Sequence, residues 1–156
     1  MLLTIGGICM KNIIKILIIS LFAVFTMTGC TTNVAYTFSV ETGDSITVQL
    51  DTSDGYKMSN KVPFEISLDG TVLTTGKFIE GKYYDDYLSS IKGDANATLI
   101  DESKRDDLEY IFYSYNGSEY NYVINIKGTK TGVILSSKDA NSAKEVFGLL
   151  SIYEAE

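Results

Sequence analysis

Leu108 to Ile126 reads LEYIFYSYNGSEYNYVINI, two runs of aromatic and β-branched residues on either side of Asn116-Gly117. Such side chains suit a pleated, half-buried surface, and an Asn-Gly between alternating runs signals a hairpin because both residues tolerate positive φ. The register is open in the sequence. A two-residue loop puts Ile111, Tyr113 and Tyr115 on the face of Tyr120, Tyr122, Ile124 and Ile126; a three-residue loop puts Tyr110 and Phe112 there instead. With Tyr110, Tyr113, Tyr115, Tyr120 and Tyr122 in one hairpin, the sheet is expected to show an aromatic face. Tyr113, Tyr115, Tyr120 and Tyr122 are the candidate binding surface for a protein, peptide or glycan, since each ring gives contact area and a hydroxyl at little entropic cost. The other reading of the same rings is cross-strand pairs half buried under a helix.

Outward from this hairpin, the chain keeps alternating between two periods. Val34, Tyr36, Phe38 and Val40 share one face of a first strand, and Ile46, Val48 and Leu50 do the same in the next, with Thr42-Gly43-Asp44 between them. Phe64, Ile66 and Leu68 lead into Asp69-Gly70, a second hairpin signal. Leu73 and Phe78 then fall on opposite parities, which predicts a bulge near Gly76. Between Lys82 and Lys92 the spacing of Tyr84, Tyr87, Leu88 and Ile91 is i, i+3, i+4, i+7, an amphipathic helix stopped at Gly93. Thr98 to Ile100 reads as a short strand, Asp101 to Asp107 as a charged turn, and Gly132 to Leu135 as a strand. Ser142-Ala143-Lys144-Glu145 has capping-box spacing ahead of Val146, Leu149, Leu150 and Tyr153, a terminal helix. The fold class expected is α+β: one domain, 34–156, with a single antiparallel sheet, a middle helix and a C-terminal helix. The element order across residues 34 to 153 vaguely resembles the PsbP and Mog1-like family, which implies a central antiparallel sheet flanked by helices and carries over no functional residue. NTF2-like and cystatin-like domains compete for the same pattern, though each normally opens with a helix.

Upstream, Met10 to Cys30 reads MKNIIKILIISLFAVFTMTGC. Lys11 and Lys15 form a positive n-region, Ile16 to Phe25 an apolar run, and Thr28-Gly29 a small-residue neck, the arrangement of an export signal. Met27-Thr28-Gly29-Cys30 resembles the lipobox of bacterial lipoproteins. That resemblance implies cleavage after Gly29, a lipid on the Cys30 thiol and an outward-facing position on the bacterial cell membrane. Segment 1–29 is then the signal peptide, translated from Met10, and 30–33 a lipidated cysteine with a short tether. The alternatives are an ordinary cleaved signal and an uncleaved membrane anchor. As an anchor, the ten residues of the apolar run would rise only about 15 Å against roughly 30 Å of hydrocarbon.

All 20 acidic residues lie beyond Cys30 but two of the 13 basic ones do not, so the mature part carries −9. That charge argues against nucleic acid and anionic lipid surfaces as partners, and leaves the Cys30 lipid to hold the membrane. The chain has no histidine and 2 cysteines, Cys9 and Cys30, which excludes histidine triads, histidine-ligated metals and a disulfide in the mature domain. Acidic residues gather at Asp51 and Asp54, at Asp85 and Asp86, and at Asp101, Glu102, Asp106 and Asp107. Asp51-Thr-Ser-Asp-Gly55 lacks the ligand order of an EF-hand loop, the clusters read as solvated turns, and no metal or cofactor is expected. The function expected is a non-enzymatic, membrane-anchored binding or accessory domain; the alternative is a small carboxylate-based hydrolase of cell-wall material.

Overall fold

The computed structural model describes residues 32–156. The signal segment, the neck residues Met27, Thr28 and Gly29, and Cys30 lie outside the described residues. In chain order the elements are β1 (Asn33–Ser39), β2 (Ser45–Asp51), β3 (Lys57–Met58), β4 (Phe64–Leu68) and β5 (Thr71–Glu80). A 3-10 turn, Gly81–Tyr83, leads into α1 (Tyr84–Gly93), followed by β6 (Ala97–Arg105), β7 (Leu108–Tyr115), β8 (Glu119–Ile126) and β9 (Thr131–Ser137). The chain closes with α2 (Ala140–Leu149) and β10 (Leu150–Glu154).

The α+β class holds, with every strand pair antiparallel, but the single sheet does not: seven strands form one sheet in the order β3-β4-β5-β9-β8-β7-β6, and β1-β2-β10 form a second. The reason lies in the inward residues of β1 and β2. Ile46, Val48 and Leu50 are fully buried, so the pair cannot remain at the rim of the large sheet and instead packs over it. The Phe38 ring meets those of Phe64 and Phe78 at 5.9 and 5.3 Å. β10 completes the small sheet by setting Leu150 opposite Leu50 and Ile152 opposite Val48. The expected terminal helix therefore stops at Leu149. Leu150, Ile152 and the outward Ser151 and Tyr153 also alternate at period two, and pairing with β2 selects that period.

Three further expectations are corrected. The stretch from Asp101 to Arg105 is not a turn but the second half of β6, an edge strand on which charges are tolerated because they stay in water. Cross-strand partners also hold them, Lys104 to Glu109 at 2.7 Å and the Tyr110 hydroxyl to Asp101 at 3.0 Å. Only Asp106, at φ 55, and Asp107 make the turn. The bulge of β5 sits at Leu73, between the pairs Ile66 with Thr74 and Ser67 with Val72, rather than at Gly76. Helix α2 is capped by Asp139, whose carboxylate accepts from the Ser142 N–H at 2.8 Å, so Ser142 lies inside the helix and is not its cap.

Two cores result. The larger lies between the two sheets and α2; the smaller lies under α1, where Ile91 packs on Ile111, Val123 and Ile134 with Tyr84, Tyr87 and Leu88 around them. The helical stripe read from the sequence is therefore the buried face of α1.

A polar lock ties the β1–β2 turn to the large sheet. Asp44 Oδ2 accepts from the Thr131 hydroxyl at 2.7 Å, from the Lys130 N–H at 2.8 Å and from the Thr42 hydroxyl at 3.3 Å. The Thr131 bond, followed by those of Lys130 and Thr42, holds the Asp44 carboxyl below its ordinary value of 3.8; the Ser142 N–H does the same for Asp139. A lowered folded pKa means that the stabilisation is present above the unfolded value and is lost as pH falls through the folded one. Melting temperature should therefore drop as the pH is taken below about 4, and Asp44→Asn should flatten part of that slope. Thr131 is fully buried and its hydroxyl meets both the Asp44 carboxylate and the Thr42 hydroxyl, so Thr131→Val should cost about 1.5 to 3 kcal/mol, the range for a hydrogen bond to a charged group. An unchanged denaturation midpoint in Thr131→Val would show that the lock contributes nothing.

Candidate functional site

The hairpin adopts the three-residue loop: Tyr115 pairs with Glu119, and Asn116 and Gly117 take φ of 51 and 63. Phe112 then sits opposite Tyr122 and Ser114 opposite Tyr120. The four candidate tyrosines consequently do not share a surface. Tyr113 and Tyr115 point to the α1 side, where Tyr113 packs at the margin of the smaller core. Tyr120 and Tyr122 point to the α2 side, where Tyr122 is only 5% exposed.

Tyr122 belongs to a column of stacked rings. Its ring lies 4.3 Å from Phe112 and 4.2 Å from Phe147 of α2, with Tyr110 edge-on to Phe147 at 4.9 Å. Arg105, the one arginine of the chain, closes the column: its guanidinium carbon lies 4.0 Å from the Phe147 ring centre. Its nitrogens donate to the carbonyls of Phe147 and Leu150 at 2.7 and 2.8 Å, capping the C-terminal end of α2 where carbonyls lack helical partners. Burial pushes the Tyr122 hydroxyl up to about 12. On this side the aromatic hairpin is packing between sheet and helix.

The acidic groups lie on separate elements. Asp51 accepts from the Ser53 N–H in the loop after β2, Asp85 and Asp86 open α1, and Glu102 pairs with Lys92 at 3.0 Å. Among the described residues no three acidic side chains come together as a metal-holding group. Three surface grooves, of about 360, 340 and 430 Å³, are lined by none of the acidic residues singled out from the sequence.

The surface missed from the sequence is the edge of β1 away from β2, along which no strand pairs among the described residues. Each sheet has two edge strands, and three of the four carry charge: Lys57 on β3, the run from Asp101 to Arg105 on β6, and Glu154 on β10. β1, NVAYTFS, carries none. Charge on an edge strand discourages pairing with another chain, so β1 is the edge without that protection. The bonds Thr52 N–H to Thr32 O and Val40 N–H to Asp44 O show that even-numbered residues face β2. Because antiparallel residues alternate in direction, Asn33, Ala35, Thr37 and Ser39 turn their N–H and C=O groups to the open edge.

Beside this edge the larger core is incompletely covered. The 340 Å³ groove is lined by Val40, Val62, Phe78 and Ile79 together with Glu41 and Glu80. Val62 is 53% exposed, and Val34, Tyr36 and Phe78 are only partly buried. The signal that could have located this surface is the absence of charge from Asn33 to Val40, legible only once the strand is known to be an edge.

No protein-family model matches the chain, and comparison with curated proteins and with solved structures finds no significant similarity.

Proposed function

We propose that the protein is a binding domain held outside the bacterial cell membrane by a lipid on Cys30, and that it takes an extended segment of its partner along β1. The observation that carries this reading is the uncharged edge lying beside an apolar groove. An added strand gains main-chain hydrogen bonds from Ala35 and Thr37, while its inward side chains cover Tyr36 and Phe78, the combination by which strand addition obtains affinity and selectivity. The anchor rests on the Met27-Thr28-Gly29-Cys30 neck, after which the fold begins at once: the Thr32 carbonyl already accepts from the Thr52 N–H at 2.7 Å.

Two measurements test the two halves. Cys30→Ala should take up no labelled fatty acid and remain unprocessed; full labelling of that variant removes the anchor. A photo-crosslinking residue at position 37 of the full chain, in native membranes, should give a discrete adduct that Ala35→Pro abolishes. The same residue at exposed position 103 on β6 should give none. Equal adducts from both strands would mean that β1 has no special role.

A further inference from the structure

Resting on that reading of the β1 edge, we infer that the partner segment is basic: it places a lysine or arginine side chain in the 340 Å³ groove at the end of β1, beside the carboxylates of Glu41 and Glu80. Glu41 follows β1 and Glu80 ends β5, so the two carboxylates come from the two elements that flank the groove. The rest of the lining is mainly apolar, Val40, Val62, Phe78 and Ile79. An apolar trough with acidic groups at its rim suits a long cationic side chain, which lays its methylene stem on apolar surface and keeps its charged head in water. Strand alternation brings such a residue there. A residue added opposite Val40 points to the side on which Val40 packs against the larger core, which is the side of the groove. Residues opposite Tyr36 and Phe38 point the same way. The partner is therefore read as apolar, any residue, apolar, any residue, basic, in either chain direction.

Charge selects this occupant. The 340 Å³ groove is lined by two glutamates and no basic residue, whereas the 360 Å³ groove holds the Glu119 and Lys138 pair and the 430 Å³ groove is lined by Lys82 and Lys130 as well as Glu80. Both glutamates of the 340 Å³ groove are exposed. Among the described residues no basic side chain forms an ion pair with Glu41, and Lys82 meets Glu80 only at Oε2. An acidic segment would set like charges against both carboxylates, and a neutral one would leave them without a counter-charge beside the covered groove. The −9 of the mature part acts in the same direction at longer range, drawing a cationic segment towards the domain and repelling an anionic one. The uncharged β1 supplies the hydrogen-bonding edge, and the groove beyond it supplies the preference for charge.

The probe is an extended peptide, Thr-Val-Thr-Val-Thr-Lys-Thr, with a neutral fluorophore, titrated with the full chain in detergent micelles. Replacing its lysine by norleucine, which keeps the stem and removes the charge, should weaken binding about fivefold, and replacing it by glutamate should weaken it further. The gap between the lysine and norleucine peptides should close as salt is raised to about 1 M, where screening acts within about 3 Å. Glu41→Gln should cost the lysine peptide about threefold and leave the norleucine peptide unchanged, while Glu119→Gln, in the 360 Å³ groove, should affect neither. Both glutamates are exposed, so neither change should disturb folding. Equal affinities for the lysine and norleucine peptides, equal losses in the two variants, or no binding of any peptide overturns the basic pocket. In native membranes, the adduct formed from position 37 should disappear in Glu41→Lys and persist in Glu119→Lys. An adduct that survives Glu41→Lys and is still abolished by Ala35→Pro overturns the basic pocket while binding along β1 stands. Absence of any adduct from position 37 defeats both.

Discussion

Tyr122→Ala is expected to destabilise the domain by about 3 to 5 kcal/mol, the range for truncating a buried aromatic side chain. The ring is held on both faces, by Phe112 at 4.3 Å and Phe147 at 4.2 Å, so the neighbours cannot collapse into the space without separating α2 from the large sheet. A domain of this size is held by roughly 5 to 15 kcal/mol, so a loss of that order should leave Tyr122→Ala partly unfolded at moderate denaturant. Tyr115→Ala, at a half-buried position beside the loop, should cost much less. Equal denaturation midpoints for the two variants would contradict the stacked column. Arg105→Lys should fall between them, since an ammonium neither spans the two carbonyls as a fork nor stacks flat on Phe147.

Gly76→Val should be comparably damaging through the opposite fault, too much volume. Gly76 pairs with Phe64 across β4 and β5, and the Phe64 ring lies over the bare Cα: a methyl added there would stand 2.6 Å from Cε1 and closer still to Cζ. The ring has nowhere to go, because Phe64 is fully buried between Phe38 and Phe78, each 5.9 Å away between ring centres. Overpacking of this kind costs about 1 to 3 kcal/mol for small additions, and valine adds more than one group. Shortening the offending ring should return part of the loss: Gly76→Ala with Phe64→Leu should be less destabilising than the two single changes summed. Strict additivity in that double-mutant cycle would show that the contact is relieved elsewhere.

Periodicity and turn chemistry in the sequence were sufficient for the local elements. The paired strands β1 and β2, the Asp69-Gly70 and Asn116-Gly117 turns, and the α1 stripe of Tyr84, Tyr87, Leu88 and Ile91 follow from side-chain spacing and from which residues tolerate positive φ. The absence of histidine and the cysteine count restricted the chemistry just as directly. What tertiary structure decided was partnership. Leu149-Leu150-Ser151-Ile152-Tyr153 satisfies both a helical and a strand reading, and the side chains of Leu50 and Val48 choose between them by offering β10 a pairing surface. One residue of loop length, Ser118, moved Phe112 rather than Ile111 opposite Tyr122, dividing the tyrosines between two faces because side chains on a strand alternate. The candidate edge was hidden for the same reason. An uncharged strand looks alike at the centre of a sheet and at its margin, and only the packing of β10 on the far side of β2, with no described strand beyond β1, leaves that strand's odd-numbered backbone groups facing outward.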